Sequence, residues 1–278
     1  MFNLLHMDLR RMATDKAFWV NLTILIAVML FLCSMLAITS NEDSLVNFAA
    51  MGGKITVNGE TITDPELAQA ELAAEAAEAQ AELAGMNKAQ FFYQFFSQGG
   101  ALSVFMAILS TLFVCADFSS GFVKNIFSVR NRGLSYIAAK AVTLTCATAA
   151  FISILFVLAQ ICFWAFRLPL ASASAAEYIS YLLQAWVMGS AFAIQNLFFC
   201  VWLRSIALGI TLSFVCGGGV AAMLLQNVLR LFGFDPTPYL IFGTMTNIGI
   251  TLQGTVVCLA WSAFYLALAI FILRKKDI

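Results

Sequence analysis

Ala141 to Phe166 reads AVTLTCATAAFISILFVLAQICFWAF, 26 residues without Asp, Glu, Lys or Arg. At a rise of about 1.5 Å per residue, a helix over this stretch is roughly 39 Å long and crosses a hydrocarbon core of about 30 Å with turns to spare. Hydrocarbon offers no partner to backbone N–H and C=O groups, so a helix, which satisfies them internally, is the expected conformation. Five other runs lack the same four residue types: Ala17–Asn41, Ala89–Ala116, Tyr178–Leu203, Ser205–Leu229 and Pro236–Leu273. The last is too long for one crossing. Its first part, to about Ile250, carries two Pro, two Gly and several Thr, which suits a loop or a re-entrant stretch ahead of the final span.

Composition agrees with this reading. The 278 residues are 62% hydrophobic and 11% charged, with a mean hydropathy of +0.89, whereas a soluble domain is about a quarter charged. An all-α polytopic membrane protein follows, with six transmembrane helices at 18–39, 99–116, 138–166, 179–203, 205–229 and 251–273. The first run exceeds the apolar core of a signal peptide and is expected to remain as a span. The seven cysteines fall within or at the ends of spans, without ligand-like spacing, so they read as small packing residues rather than a disulfide framework or a metal site.

Orientation comes from Lys and Arg. With both termini cytoplasmic, Arg10, Arg11, Lys16, Lys124, Arg130, Arg132, Lys140, Arg204, Arg274, Lys275 and Lys276 lie inside, leaving Lys54, Lys88, Arg167 and Arg230 outside. Residues 1–17 form an amphipathic lead-in: Phe2, Leu5, Leu9 and Met12 recur at steps of 3, 4 and 3, with Asp8, Arg11 and Asp15 on other faces. That suits a connecting helix lying on the cytoplasmic interface, or a charged flank that only sets topology.

Residues 40–98 form a small extracellular α+β insert. Ile55 to Thr63 reads as two short strands about an Asn58-Gly59 turn, which favours the positive φ of a tight hairpin. Asp64 then offers an N-cap, Pro65 the first helical position and Gly85 a close to an Ala/Glu/Leu-rich helix. Its acids, Glu66, Glu71, Glu75, Glu78 and Glu82, share a stripe that is either a docking surface for a cationic substrate or protein, or a solvated face. Phe91-Phe92-Tyr93-Gln94-Phe95-Phe96 reads as an aromatic anchor at headgroup depth, with a lipid-facing or substrate-facing cluster as the alternative. Spans four and five are joined by little more than Arg204 and Ser205, a tight cytoplasmic hairpin. Gly217-Gly218-Gly219 in span five permits either close helix packing or a hinge.

Catalytic constellations are scarce. His6 is the single histidine, which excludes HExxH zinc sites and Ser-His dyads. The middles of the spans carry no ionisable group for a proton relay. Gly52-Gly53-Lys54-Ile55 has Phe48 where a phosphate-binding loop needs its first glycine, so ATP is not bound by that route. No enzymatic activity and no metal or cofactor are expected of this chain itself.

On the cytoplasmic side, the bend between spans two and three, 117–137, runs Asp117, Phe118, Ser120-Gly121, Phe122, Lys124, Ile126, Phe127, Arg132 and on to Lys140, with Phe118, Phe122, Ile126 and Val129 forming an apolar stripe able to dock into a partner's groove. Here the chain resembles the permease subunits of type-2 ABC exporters, the ABC-2 family, in its acid at the end of span two, its Ser-Gly step and its following basic residues. It departs from them in having Phe122 where Thr is frequent and no Pro near Arg132. The resemblance implies that Asp117, Phe118, Gly121, Phe122, Lys124, Ile126 and Phe127 couple to a separate ATPase, which binds the ATP and Mg, and that the helix bearing Phe2, Leu5, Leu9 and Met12 packs beside them. It also implies a second permease, identical or related, in a bacterial plasma membrane, with lipids and no nucleic acid as further partners. A pathway rich in Phe, Met, Thr and Asn suits an amphiphilic or hydrophobic cargo: an antimicrobial peptide, a drug or a lipid-like molecule. Two other functions fit the residues: a receptor or assembly factor binding protein through the insert, and an ion-coupled secondary carrier working through 236–250.

Overall fold

The computed structural model describes residues 2–39, 56–57, 60–61, 74, 77–78, 80–95, 100–123, 133–246 and 249–275. Its helices are α1 (Phe2–Thr14), α2 (Lys16–Thr39), α3 (Lys88–Tyr93), α4 (Ala101–Ser119), α5 (Gly133–Ala165), α6 (Ala175–Leu203), α7 (Ile206–Gly217), α8 (Val220–Arg230) and α9 (Leu252–Lys275). Five of them, α2, α4, α5, α6 and α9, are long and apolar enough to cross a membrane, and a sixth crossing results if α7 and α8 form one broken span. The chain is thus a multi-pass, predominantly helical protein. Two short strands, β1 (Thr56–Val57) and β2 (Glu60–Thr61), pair antiparallel with Thr56 opposite Thr61.

Local chemistry fixes several boundaries. α6 starts on a capping box, in which Ser174 accepts from the Glu177 amide and Glu177 accepts from the Ser174 amide. It ends at Arg204, whose φ of +53° closes the helix in the left-handed region. α3 starts at Asn87, whose side chain accepts from the Gln90 amide and donates to Glu177 at 3.2 Å, tying the two helix starts together. Between α1 and α2 the chain breaks at Asp15, whose carboxylate accepts from the Ala17 amide.

The fifth apolar run is not one straight helix. α7 and α8 meet at 54°. Gly219 has φ +79°, and a Cβ there would overlap the Phe242 ring, so this glycine supplies both the turn and the room for an aromatic side chain. Gly217 presses its carbonyl against α4, where the Ser103 hydroxyl donates to it at 2.8 Å. Close packing and a fixed bend therefore coexist at the three glycines. Residues 237–246 follow as two 3-10 turns, Thr237–Tyr239 and Phe242–Thr246.

α6 is the axial helix, packing against α4, α5 and α9. Small residues bring the neighbours close: a Cβ at Gly189 would lie 2.8 Å from the Thr148 methyl of α5, and one at Gly209 of α7 2.7 Å from the Thr111 methyl of α4. Register follows from specific pairs. The Ile250 amide donates to Ser180 Oγ at 3.0 Å, and Gln195 Nε2 donates to the Tyr265 hydroxyl at 3.0 Å, so α6 and α9 run parallel at one constant offset. Asn21 donates to the Phe105 carbonyl while Arg11 meets Asp117, so the N-terminal helices run antiparallel to α4. α1 and the end of α9 consequently lie at one end of the bundle, with 166–174 and 231–246 at the other.

The aromatic cluster ahead of α4 departs from its expected interfacial role. Phe91, Phe92 and Tyr93 are buried. Phe91 meets Phe163 edge-on at 5.5 Å, Phe92 meets Phe156 at 5.9 Å and Tyr93 tilts against Tyr181 at 5.5 Å. The rings find aromatic partners on α5 and α6, which bury them more completely than headgroups would. Of the acidic stripe, Glu78 and Glu82 are exposed; Glu66, Glu71 and Glu75 lie outside the described residues.

Candidate functional site

Asp8 and Arg11 stand one helical turn apart on α1; Asp8 is buried, and Arg11, half-buried, reaches in toward the bundle. Asp117 occupies the last turn of α4, and Lys140 the second turn of α5. Folding brings these four charges, two acids and two bases, into one buried cluster. Lys140 Nζ lies 2.9 Å from Asp8 Oδ1 and 2.7 Å from Asp117 Oδ2. Arg11 Nη2 lies 2.9 Å from Asp117 Oδ1, and Arg11 reaches Asp8 at 3.9 Å. Tyr136 donates its hydroxyl to Asp117 Oδ2 at 3.0 Å. Asp117 and Lys140 are wholly buried.

Rings surround the cations. Lys140 Nζ sits 3.8 Å from the Phe113 ring centroid and the Arg11 guanidinium 4.7 Å from that of Phe122, where the negative ring faces offset part of the lost hydration. Isolated charges at this depth would cost several kcal/mol each; two of each sign, interleaved, neutralise one another. Burial still pushes the Asp8 carboxyl above the ordinary aspartate range, against the pull of Lys140 and Arg11. Chemically the cluster is a cross-link: three helices, α1, α4 and α5, are joined through one set of charges.

The residues expected to couple to a partner are distributed around this cross-link. Asp117 is at its centre rather than on a surface. Phe122 is half-buried under Arg11, and Phe118 is half-buried with the Arg204 guanidinium 5.4 Å above its ring. Gly121 has φ +71° and no atom of the described residues lies within 4 Å of a Cβ position, so backbone conformation requires glycine there. Lys124, Ile126 and Phe127 lie outside the described residues. In the connecting helix Leu5 is half-buried, Leu9 exposed and Met12 buried; the Phe2 side chain lies outside the described residues. Gly217, Gly218 and Gly219 lie far along the bundle, at the α7–α8 bend.

From the sequence, Asp117 and Lys140 flank the bend, whereas Asp8 and Arg11 fall on the polar faces expected to lie at the interface. The available signal was the spacing of Asp8 and Met12, four apart and both buried, which marks an inward face containing an acid. No family model matches this sequence and no curated protein matches it, so its function has to be read from the site itself.

Proposed function

We propose that this chain is the membrane-spanning permease subunit of an ATP-driven exporter, worked by a separate ATPase at the 117–137 bend and carrying an amphiphilic or hydrophobic cargo. The observation that carries this reading is the buried charge cluster. The bend leaves α4 just beyond Asp117 and enters α5 two turns before Lys140; Asp117 is clamped to Arg11 of α1, and Lys140 to Asp8. A push on the bend would therefore move three elements together, which is what a motor without its own chemistry in this chain needs: a mechanical input that biases a two-state element.

In this reading both termini and the bend are cytoplasmic, the residues preceding α4 face outward, and the protein sits in a bacterial plasma membrane beside a second, identical or related permease. The excess of Lys and Arg at the end that holds the cluster supports that orientation. The test is reconstitution with the ATPase partner, with transport and hydrolysis measured in parallel. Asp117→Asn and a bulky replacement of Gly121 are expected to leave hydrolysis running while transport falls at least tenfold. Normal transport by both variants in an intact complex rules out the assigned coupling segment; transport by the unaccompanied chain rules out the whole reading.

A further inference from the structure

At the α7–α8 bend, α6, α7, α8, α9 and the 3-10 turns line a partly open cavity of about 240 Å³ that includes none of the charge-cluster residues. Phe192, Phe199, Phe242 and Trp261 supply apolar wall, and Gln195 and Tyr265 supply polar groups. Gln195 is nine-tenths buried, and its Nε2 donates to the Tyr265 hydroxyl at 3.0 Å. That bond uses one amide proton and one phenolic lone pair. Among the described residues the Tyr265 proton and the Gln195 Oε1 then have no partner. Trp261, by contrast, has spent its N–H on the Tyr239 carbonyl at 2.7 Å and offers only its ring.

One donor and one acceptor therefore stand side by side on an otherwise apolar wall. A hydroxyl group, which donates and accepts at once, matches both. Among the described residues the lining contains no Asp, Glu, Lys, Arg or His, so a charged headgroup would enter unpaired at a prohibitive desolvation cost. Size narrows the guest further. An apolar cavity of about 150 Å³ takes up benzene, and drug-sized ligands need about 300 Å³ or more; a volume between the two admits a slender segment. An adjoining cavity of about 190 Å³ shares Ala222, Leu240 and Phe242 and gives a tail somewhere to continue.

We propose that this cavity binds an uncharged, hydroxyl-bearing amphiphile of the monoacylglycerol kind, its hydroxyl between Tyr265 and Gln195 and its chain along the rings. The site lies within one chain and stands whether or not a motor subunit drives it.

The experiment uses the purified full chain in phosphatidylcholine nanodiscs, titrated with monooleoylglycerol brominated across its double bond, whose bromines quench tryptophan at contact. Saturable quenching is expected, removed by Trp261→Phe. Tyr265→Phe should weaken binding about three- to tenfold, the worth of one hydrogen bond, and brominated oleate, which is anionic, should bind at least tenfold more weakly. Quenching that rises without saturation, brominated phosphatidylcholine acting equally well, or Tyr265→Phe and Gln195→Leu both binding as the unaltered chain does, would overturn the proposal as bulk lipid contact. A second measurement needs no substitution. Cys216 lines the cavity and Cys146 is exposed elsewhere, so unbrominated monooleoylglycerol should slow alkylation of Cys216 but not of Cys146; slowing at both or at neither counts against the site.

Discussion

At the residue scale, the buried charges are unequal in what they tolerate. Lys140 serves both acids, so Lys140→Met leaves two buried carboxylates to share Arg11 alone and is expected to cost about 3–5 kcal/mol. Asp8→Asn removes the acid that burial already pushes toward its neutral form, and should cost far less. The pH dependence follows from the same direction. A carboxyl raised in the folded state binds its proton more tightly there than in the unfolded chain, so its contribution to stability grows as pH falls through the folded-state value and is complete below the unfolded value near ~4. Thermal melting in detergent between pH 7 and 4 should show the unaltered chain gaining on Asp8→Asn as pH drops; a loss instead would mean that the ion pair outweighs burial. Gly121 offers a second check. Its positive φ makes Ala cost roughly 1–2 kcal/mol, whereas Asn, which visits that region, should cost clearly less. Equal melting of Gly121→Ala and Gly121→Asn would show that φ is not the constraint. Asp117 and Lys140 were legible in the sequence as a pair flanking one bend. The inward turn of Asp8 and Arg11 was not, because a helix with a regular apolar stripe looks the same whether its polar face meets water or a buried partner.

At the element scale, charge-free runs located helices well and their interruptions poorly. Hydropathy sees apolar side chains, and the α7–α8 break costs none of these: Phe214, Val220 and Met223 are as apolar on either side of it as within a straight span. What breaks the helix is backbone conformation at Gly219 and the Phe242 ring occupying the space a side chain would need. The sequence offered three glycines, which serve packing or bending alike, and Phe242 lies 23 positions away in a stretch readable only as loop or re-entrant. The buried Phe91–Tyr93 cluster has the same origin: its partners Phe156, Phe163 and Tyr181 are on other helices. Gly219→Ala is expected to destabilise the protein by about 1–3 kcal/mol through overlap with that ring and the strained φ. A double-mutant cycle with Phe242→Ala separates the two causes, since the overlap component vanishes once the ring is gone. If Gly219→Ala costs as much without the ring as with it, steric overlap is not what holds the bend.

At the scale of the whole molecule, the broken span decides the topology. α7 is about 18 Å long at 12 residues, short of a core of roughly 30 Å, so composition alone leaves α7 and α8 either a bent crossing or an excursion that returns to its own side. Packing distinguishes these outcomes. α6 and α9 run parallel, with Ser180 at Ile250 and Gln195 at Tyr265, so the chain that leaves α6 at Arg204 must reach the opposite end before α9 begins. In the topology we propose, the bent pair is the connection that carries it across, and the number of traverses is even. Arg204, stacked on Phe118 beside the charge cluster, marks the end to which α6 and α9 both return. The charge-free runs read as six crossings without any knowledge of the break, and Lys and Arg set only their orientation. Reporter tags test it directly: tags before residue 1 and after residue 278 should be accessible from the same side of sealed vesicles, and a tag after Gly85 from the other. A C-terminal tag on the side of Gly85 would mean that α7 and α8 turn back, that α9 runs opposite to α6, and that the hydrogen bonds fixing their register do not form in the membrane.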